Sequence, residues 1–143
     1  MRRVLIFGTL HHFPEGIPPP ENHRHYAGFA DHLRELILEI VRRNRVVAVG
    51  EEMPEDRLPD IGGETQLCRV ARSAAVHYLN TDLTAAQRDE LKLVTGAPEG
   101  SPAWLKCQDA RETRWLDELC NLGQWPTLFV CGGAHSLRFR DLL

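Results

Sequence analysis

Two stretches decide how this chain is read. One is Val4-Leu5-Ile6-Phe7-Gly8-Thr9-Leu10-His11, and the other is Leu128-Phe129-Val130-Cys131-Gly132-Gly133-Ala134-His135. Each is a short apolar run, broken at glycine, with a histidine three residues further on. A continuous β-rich run suits a central parallel strand. Glycine lets the backbone turn sharply or approach another group closely. Two copies of this pattern, near opposite ends of the chain, predict that the fold brings two histidines to one place.

Between these strands the sequence alternates. The first strand is predicted at 3–7. Residues 12–25 contain Pro14, Gly16 and Pro18-Pro19-Pro20 and form a loop; long loops in small domains tend to be functional. Phe29, Leu33, Leu36, Ile37, Ile40 and Val41 fall on one helical face, which predicts a helix over 26–43. A second strand follows at 45–49, closed by Gly50 and followed by Glu51-Glu52. Leu67, Val70, Ala71 and Ala74 mark a second helix, and 76–79 a third strand before Asp82. Thr84 and Gln87 form a capping box for a helix ending at Gly96. Ser101-Pro102 starts the next helix and Gly123 ends it. Pro126 opens the fourth strand, and a short helix starts near His135. The order β-α-β-α-β-α-α-β-α predicts an α/β fold: one three-layer domain spanning 1–143 with a mainly parallel central sheet.

Ligands of such sheets bind outside the carboxyl ends of the strands. His11, Glu51-Glu52, Asp82 and His135 each follow a different strand end, so the candidate site lies along one edge. Neutral imidazoles serve as metal ligands or as a general base. His11 and His135 with one carboxylate suffice for a divalent ion that keeps open positions. Alternation along a strand lets only one of Glu51 and Glu52 face the site, and spacing does not choose between them. On the helix after Ser101, Arg111 sits within the stripe Trp104, Cys107, Trp115, Leu119 and Leu122, whereas Arg114 falls on the polar face with Asp117, Glu118 and Asn121. A cation on a buried face needs an anionic partner: a structural acid, a site carboxylate or a substrate oxyanion.

Other features carry less. His12, His23 and His25 belong to the proline loop, and His32 and His77 read as ordinary helix and strand residues. Cys131 has Leu137, not arginine, six positions on, which breaks the register of a cysteine phosphatase loop. Gly132-Gly133 ahead of a helix remains a candidate anion site. There is no G-x-G-x-x-G and no P-loop lysine.

Composition narrows the classes. The chain has 143 residues, 43% hydrophobic and 26% charged, with a net charge of −3. That is enough for a real core, and no basic block recommends nucleic acid. No apolar stretch is long enough to span a membrane, and none reads as a signal peptide. Four cysteines without a C-x-x-C pair suit free thiols and a cytoplasmic location.

With these residues in view, the chain resembles the TraB/Tiki-like proteins, related to the erythromycin-esterase and ChaN-like families. Gly8-Thr9-Leu10-His11 is similar to their first Gly-x-x-His motif. Val47-Ala48-Val49-Gly50-Glu51-Glu52 is similar to their acidic strand end, Arg111-Glu112-Thr113-Arg114-Trp115 to their arginine helix, and Val130 to His135 to their second motif. The chain is shorter than the usual members, and Gly50 shifts the acidic position. The resemblance implies a hydrolase of a peptide, amide or ester bond acting on a small molecule or peptide. It is divalent-metal-dependent in the Tiki-like branch and uses metal-free, histidine-activated water in the esterase branch. His11, Glu51, Glu52, Arg111 and His135 would be catalytic. His11, Glu52 and His135 would hold a manganese, cobalt or zinc ion, and Gly8, Gly132 and Gly133 would cradle a bound group. The ChaN-like branch implies haem or metal binding without catalysis. A homo-oligomer is compatible with all of these readings.

Overall fold

The computed structural model describes residues 3–9 and 29–143. His11, His12, His23, His25 and the predicted 12–25 loop lie outside the described residues. Strands β1 (Val4–Thr9), β2 (Ala48–Glu51), β3 (His77–Asn80) and β4 (Thr127–Gly132) form one parallel sheet in the order β1-β4-β2-β3. The helices are α1 (Phe29–Arg43), α2 (Gln66–Ser73), α3 (Ala85–Glu90), α4 (Pro102–Leu122) and α5 (Gly133–Arg140), with a 3-10 helix at Glu55–Ile61. The predicted α/β class, with a parallel central sheet, is what forms.

Each face of the sheet has its own core. On one, Leu33, Ile37 and Val41 of α1 meet Leu67, Val70 and Ala71 of α2 over Val49, Leu128 and Val130. On the other, Trp115 and Leu119 of α4 and Phe139 of α5 pack on Phe129 and Cys131. Successive residues of β4 alternate between the two cores, as a pleated central strand requires. Of the predicted α1 face, Leu33, Ile37 and Val41 are buried and Ile40 half-buried, whereas Leu36 is exposed. No helix among the described residues is long and apolar enough to cross a membrane.

Several boundaries differ from expectation for one shared reason. The strand expected at 45–49 starts at Ala48, and the helix expected to end at Gly96 stops at Glu90. Two residues beyond the ends of α1, α2 and α3 stand Arg45, Ala75 and Lys92, which take positive φ of 53°, 54° and 51°. Six-residue closures from Val46 N to Val41 O, Val76 N to Ala71 O and Leu93 N to Arg88 O complete these ends. A glycine search finds none of them. Where glycine, proline and cap residues stand at the ends, expectation holds: Ser101 accepts from Trp104 N, Gly123 ends α4, and Thr84 with Gln87 completes the capping box.

Gly8 and Gly50 do not break their strands. A Cβ on Gly8 would meet Gly133 Cα at 3.1 Å and Ser136 Cβ at 3.2 Å, and one on Gly50 would meet Leu119 at 3.0 Å. Both glycines let a helix lie directly on the sheet.

Candidate functional site

Strands β2 and β4 are neighbours, yet the helices that follow them, α2 and α5, lie on opposite faces of the sheet. Their carboxyl ends therefore form the kind of crevice in which parallel sheets bind ligands. Thr9 of β1 pairs with Gly132 of β4. The two segments that continue into the Gly-x-x-His motifs thus leave one edge of the sheet side by side. His11 lies outside the described residues, whereas His135 is in the first turn of α5, 8% exposed.

Alternation assigns the two glutamates. Glu51 turns to the α2 face, where Oε2 accepts from Thr65 Oγ1 and Tyr78 Oη, both at 2.6 Å. Tyr78 also donates toward Asn80 Oδ1 at 2.7 Å. Burial first, and then the neighbouring Glu51 carboxylate, push the Tyr78 phenol well above its usual range. Glu52, one residue on, turns to the α4 face. Its backbone N–H donates to Val130 O at 2.9 Å, and Oε2 accepts from Gly132 N at 2.6 Å. Oε1 accepts from the Arg111 guanidinium and lies 3.8 Å from His135 Nε2. Of the two acids, Glu52 belongs to the histidine's side.

Arg111 finds carboxylate partners, as a cation on a buried face should. It donates from Nε to Asp82 Oδ1 at 2.9 Å and from Nη2 to Asp82 Oδ2 at 2.8 Å, while Nη2 also reaches Glu52 and Nη1 meets Gln108 Oε1 at 3.3 Å. This forked pairing locks a planar guanidinium between two acids. The Trp115 ring lies 5.3 Å from its central carbon. Asp82 additionally accepts from Leu83 N, Arg88 Nη2 and Trp115 Nε1. Burial works to raise the Asp82 carboxyl, but Arg111, Arg88 and the Leu83 N–H together hold it below the usual carboxylate range.

The buried face of α4 carries a residue that the sequence reading did not single out. The face runs Gln108, Glu112, Trp115 and Leu119, so Trp104 and Cys107 are only half-buried. Glu112 has no solvent exposure. Its Oε1 is 3.5 Å from His135 Nδ1, and its Oε2 is 2.8 Å from Arg138 Nε. The Arg138 contact is an ion pair rather than an aligned hydrogen bond. His135 thus has a carboxylate toward each ring nitrogen, and Trp115 meets its ring edge-on at 5.4 Å. Arg138, three residues after His135 on the same helix, was the available signal: a cation one turn from a motif histidine calls for a nearby acid.

The three glycines expected to cradle a bound group make internal contacts. Gly8 and Gly133 pack α5 against β1, and the Gly132 N–H is committed to Glu52. Glu52 is thereby the anion at the N-terminus of α5. Arg114 stands on the outer side of α4 with Glu118. His32 and His77 are exposed on α1 and β3. Beyond Glu52, a polar cleft of about 340 Å³ opens between the 3-10 helix and the α3–α4 side, bordered by Asp82, Arg88 and Arg111.

Of the expected metal set, Glu52 and His135 are described and stand side by side, and His11 lies outside the described residues. Both Glu52 oxygens already accept hydrogen bonds, and an ion between Glu52 and His135 would stand beside the Arg111 guanidinium. No group of three His, Cys, Asp or Glu side chains among the described residues is placed to hold a metal.

Compared with family models, curated proteins and solved structures, the chain finds no match.

Proposed function

We propose that this chain is a small hydrolase of a peptide, amide or ester bond, in which His135 activates water without a metal. The reading takes up the resemblance to the esterase branch of the TraB/Tiki-like group. One observation carries it: a nearly buried imidazole, at the carboxyl edge of a parallel sheet, with Glu112 toward Nδ1 and Glu52 toward Nε2. A carboxylate behind one ring nitrogen orients the ring and favours the tautomer whose other nitrogen accepts a proton.

In this mechanism His135 Nε2 takes a proton from water as the water oxygen attacks the substrate carbonyl carbon. The same proton then passes to the leaving nitrogen or oxygen as the scissile bond breaks. Glu112 is the positioning residue for the ring. Arg111 is a positioning residue: its Nε and Nη2 donate to Asp82 and Glu52, and its part is to hold Glu52 in place. The resemblance adds His11 as a second catalytic histidine, and it lies outside the described residues.

The test is turnover on a panel of ester, amide and peptide substrates. His135→Ala should lower kcat by about a hundredfold or more while the thermal transition stays close to wild type. Glu112→Gln should lower kcat with a changed pH profile. Chelator should leave the rate untouched. Full activity in His135→Ala overturns the assignment, and loss of activity on chelation, restored by a divalent ion, replaces it with the metal-dependent branch.

A further inference from the structure

The cleft beside Glu52 is lined by Pro54, Asp56, Arg57, Asp82, Ala85, Arg88 and Arg111 in addition to Glu52 itself. Its charges balance, three carboxylates against three guanidinium groups, but their hydrogen-bonding capacity does not. Each acid is already engaged. Glu52 accepts from Arg111 and Gly132 N, Asp82 accepts on both oxygens, and Asp56 Oδ2 accepts from Ala85 N at 2.7 Å. Among the guanidinium groups, Arg111 donates to Asp82, Glu52 and Gln108, whereas Arg88 and Arg57 have fewer acceptors among the described residues. Arg88 donates from Nη2 to Asp82 at 2.9 Å, and its Nε–H is buried with no acceptor among the described residues. Among the described residues, the Arg57 side chain meets its exposed helix neighbour Asp60, at 3.2 Å, a contact that solvent weakens. A buried N–H without an acceptor is costly and leaves the Arg88 guanidinium under-satisfied.

We propose that this cleft anchors a carboxylate group of the substrate, held by Arg88 and Arg57. A guanidinium fork matches the two oxygens of a carboxylate. A singly charged group is favoured over a phosphate dianion because Glu52, Asp56 and Asp82 offset the three arginines. The volume of about 340 Å³ admits a group the size of an amino acid. Glu52 lines this cleft and also stands beside His135, so a carboxylate seated at Arg88 would lie across Glu52 and Arg111 from the imidazole. The substrate class is then an amide or ester bearing a nearby carboxylate, as at a peptide C-terminus. This deepens the hydrolase reading but is measured without turnover, so its failure and the failure of that reading are distinguishable.

The experiment titrates the full chain with N-acetylglycine, with the neutral N-acetylglycinamide and with inorganic phosphate, read by calorimetry and by NMR. N-acetylglycine should bind at one site, and more tightly than either of the other two. Arg88→Met should weaken it about tenfold or more, and Arg57→Glu, on an exposed helix that tolerates the change, should abolish it. Where Arg88→Met does not fold, Arg57→Glu decides. Absence of N-acetylglycine binding overturns the proposal, as do equal binding of the amide, tighter binding of phosphate, or wild-type affinity in Arg57→Glu.

Discussion

Glu51 and Glu52 are consecutive in the chain and belong to separate networks: Glu51 is held by Thr65 and Tyr78 on the α2 side, and Glu52 by Arg111 and Gly132 on the α4 side. The pleat of β2 separates them. The two carboxylates therefore make different predictions, although both are almost fully buried.

Replacing Glu51 with Ala leaves the Thr65 hydroxyl without its acceptor and Tyr78 with Asn80 alone. The cost should be about 1–3 kcal/mol of stability, with kcat near that of the wild type. Glu52→Ala removes the acid beside His135 and leaves Gly132 N–H and one arm of Arg111 unmatched. It should lose a similar amount of stability and most of the activity. Urea unfolding and steady-state kinetics on the two variants check the contrast; equal loss of activity in both would contradict it.

Asp82 sets a pH dependence. Its carboxyl lies lower in the folded chain than the ordinary value of about 3.9. Its contribution is present above that value and is lost as pH falls through the lower, folded one. Asp82→Asn leaves Arg111 and Arg88 without their shared anion, which should cost about 3 kcal/mol at neutral pH. The variant should also show a shallower fall in stability below about pH 4. Urea midpoints measured from pH 2.5 to 7 for both proteins provide the comparison.

Gly8 meets α5 so closely that a methyl group has no room, with Gly133 Cα 3.1 Å and Ser136 Cβ 3.2 Å from where its Cβ would stand. Gly8→Ala should push α5 away from β1, at a cost of about 1–3 kcal/mol. His135 rides on α5, so activity should fall as well. The same substitution at Gly63, where a Cβ meets nothing within 4 Å, strains a positive φ but should leave kcat intact.

Cys131 is buried beside the site acids. Burial first, then the charges of Glu52 and Glu112, push its thiol up to about 12. At pH 8 it should resist iodoacetamide in the folded protein, while exposed Cys120 is labelled. Mass spectrometry after digestion reads both sites, and rapid native labelling of Cys131 would refute this picture of its surroundings.

How far the sequence carried depended on which interactions are local. The strand runs, the Ser101-Pro102 start, the Thr84–Gln87 box and the Gly123 stop rest on residues within a few positions of one another. Their physics is complete in the sequence. The ends at Arg45, Ala75 and Lys92 escaped because ordinary residues take the left-handed conformation there, held by tertiary packing of the helices they close. On α4 the periodicity was legible but its phase was not. Trp104 and Cys107 look as apolar as the core, yet the face that meets the sheet includes Gln108 and Glu112.

The sequence by itself determined the parallel α/β order and the two apolar strands near the chain's ends, because backbone geometry and hydrophobic period are properties of neighbouring residues. Only the tertiary structure decided that Glu52 rather than Glu51 joins His135, that Arg111 is filled by Asp82 and Glu52, and that Glu112 stands behind the imidazole. Those relationships join residues between 23 and 83 positions apart in the chain. They depend on the handed alternation of a pleated strand and on which helix lies against which face, and neither is written in any local run of residues.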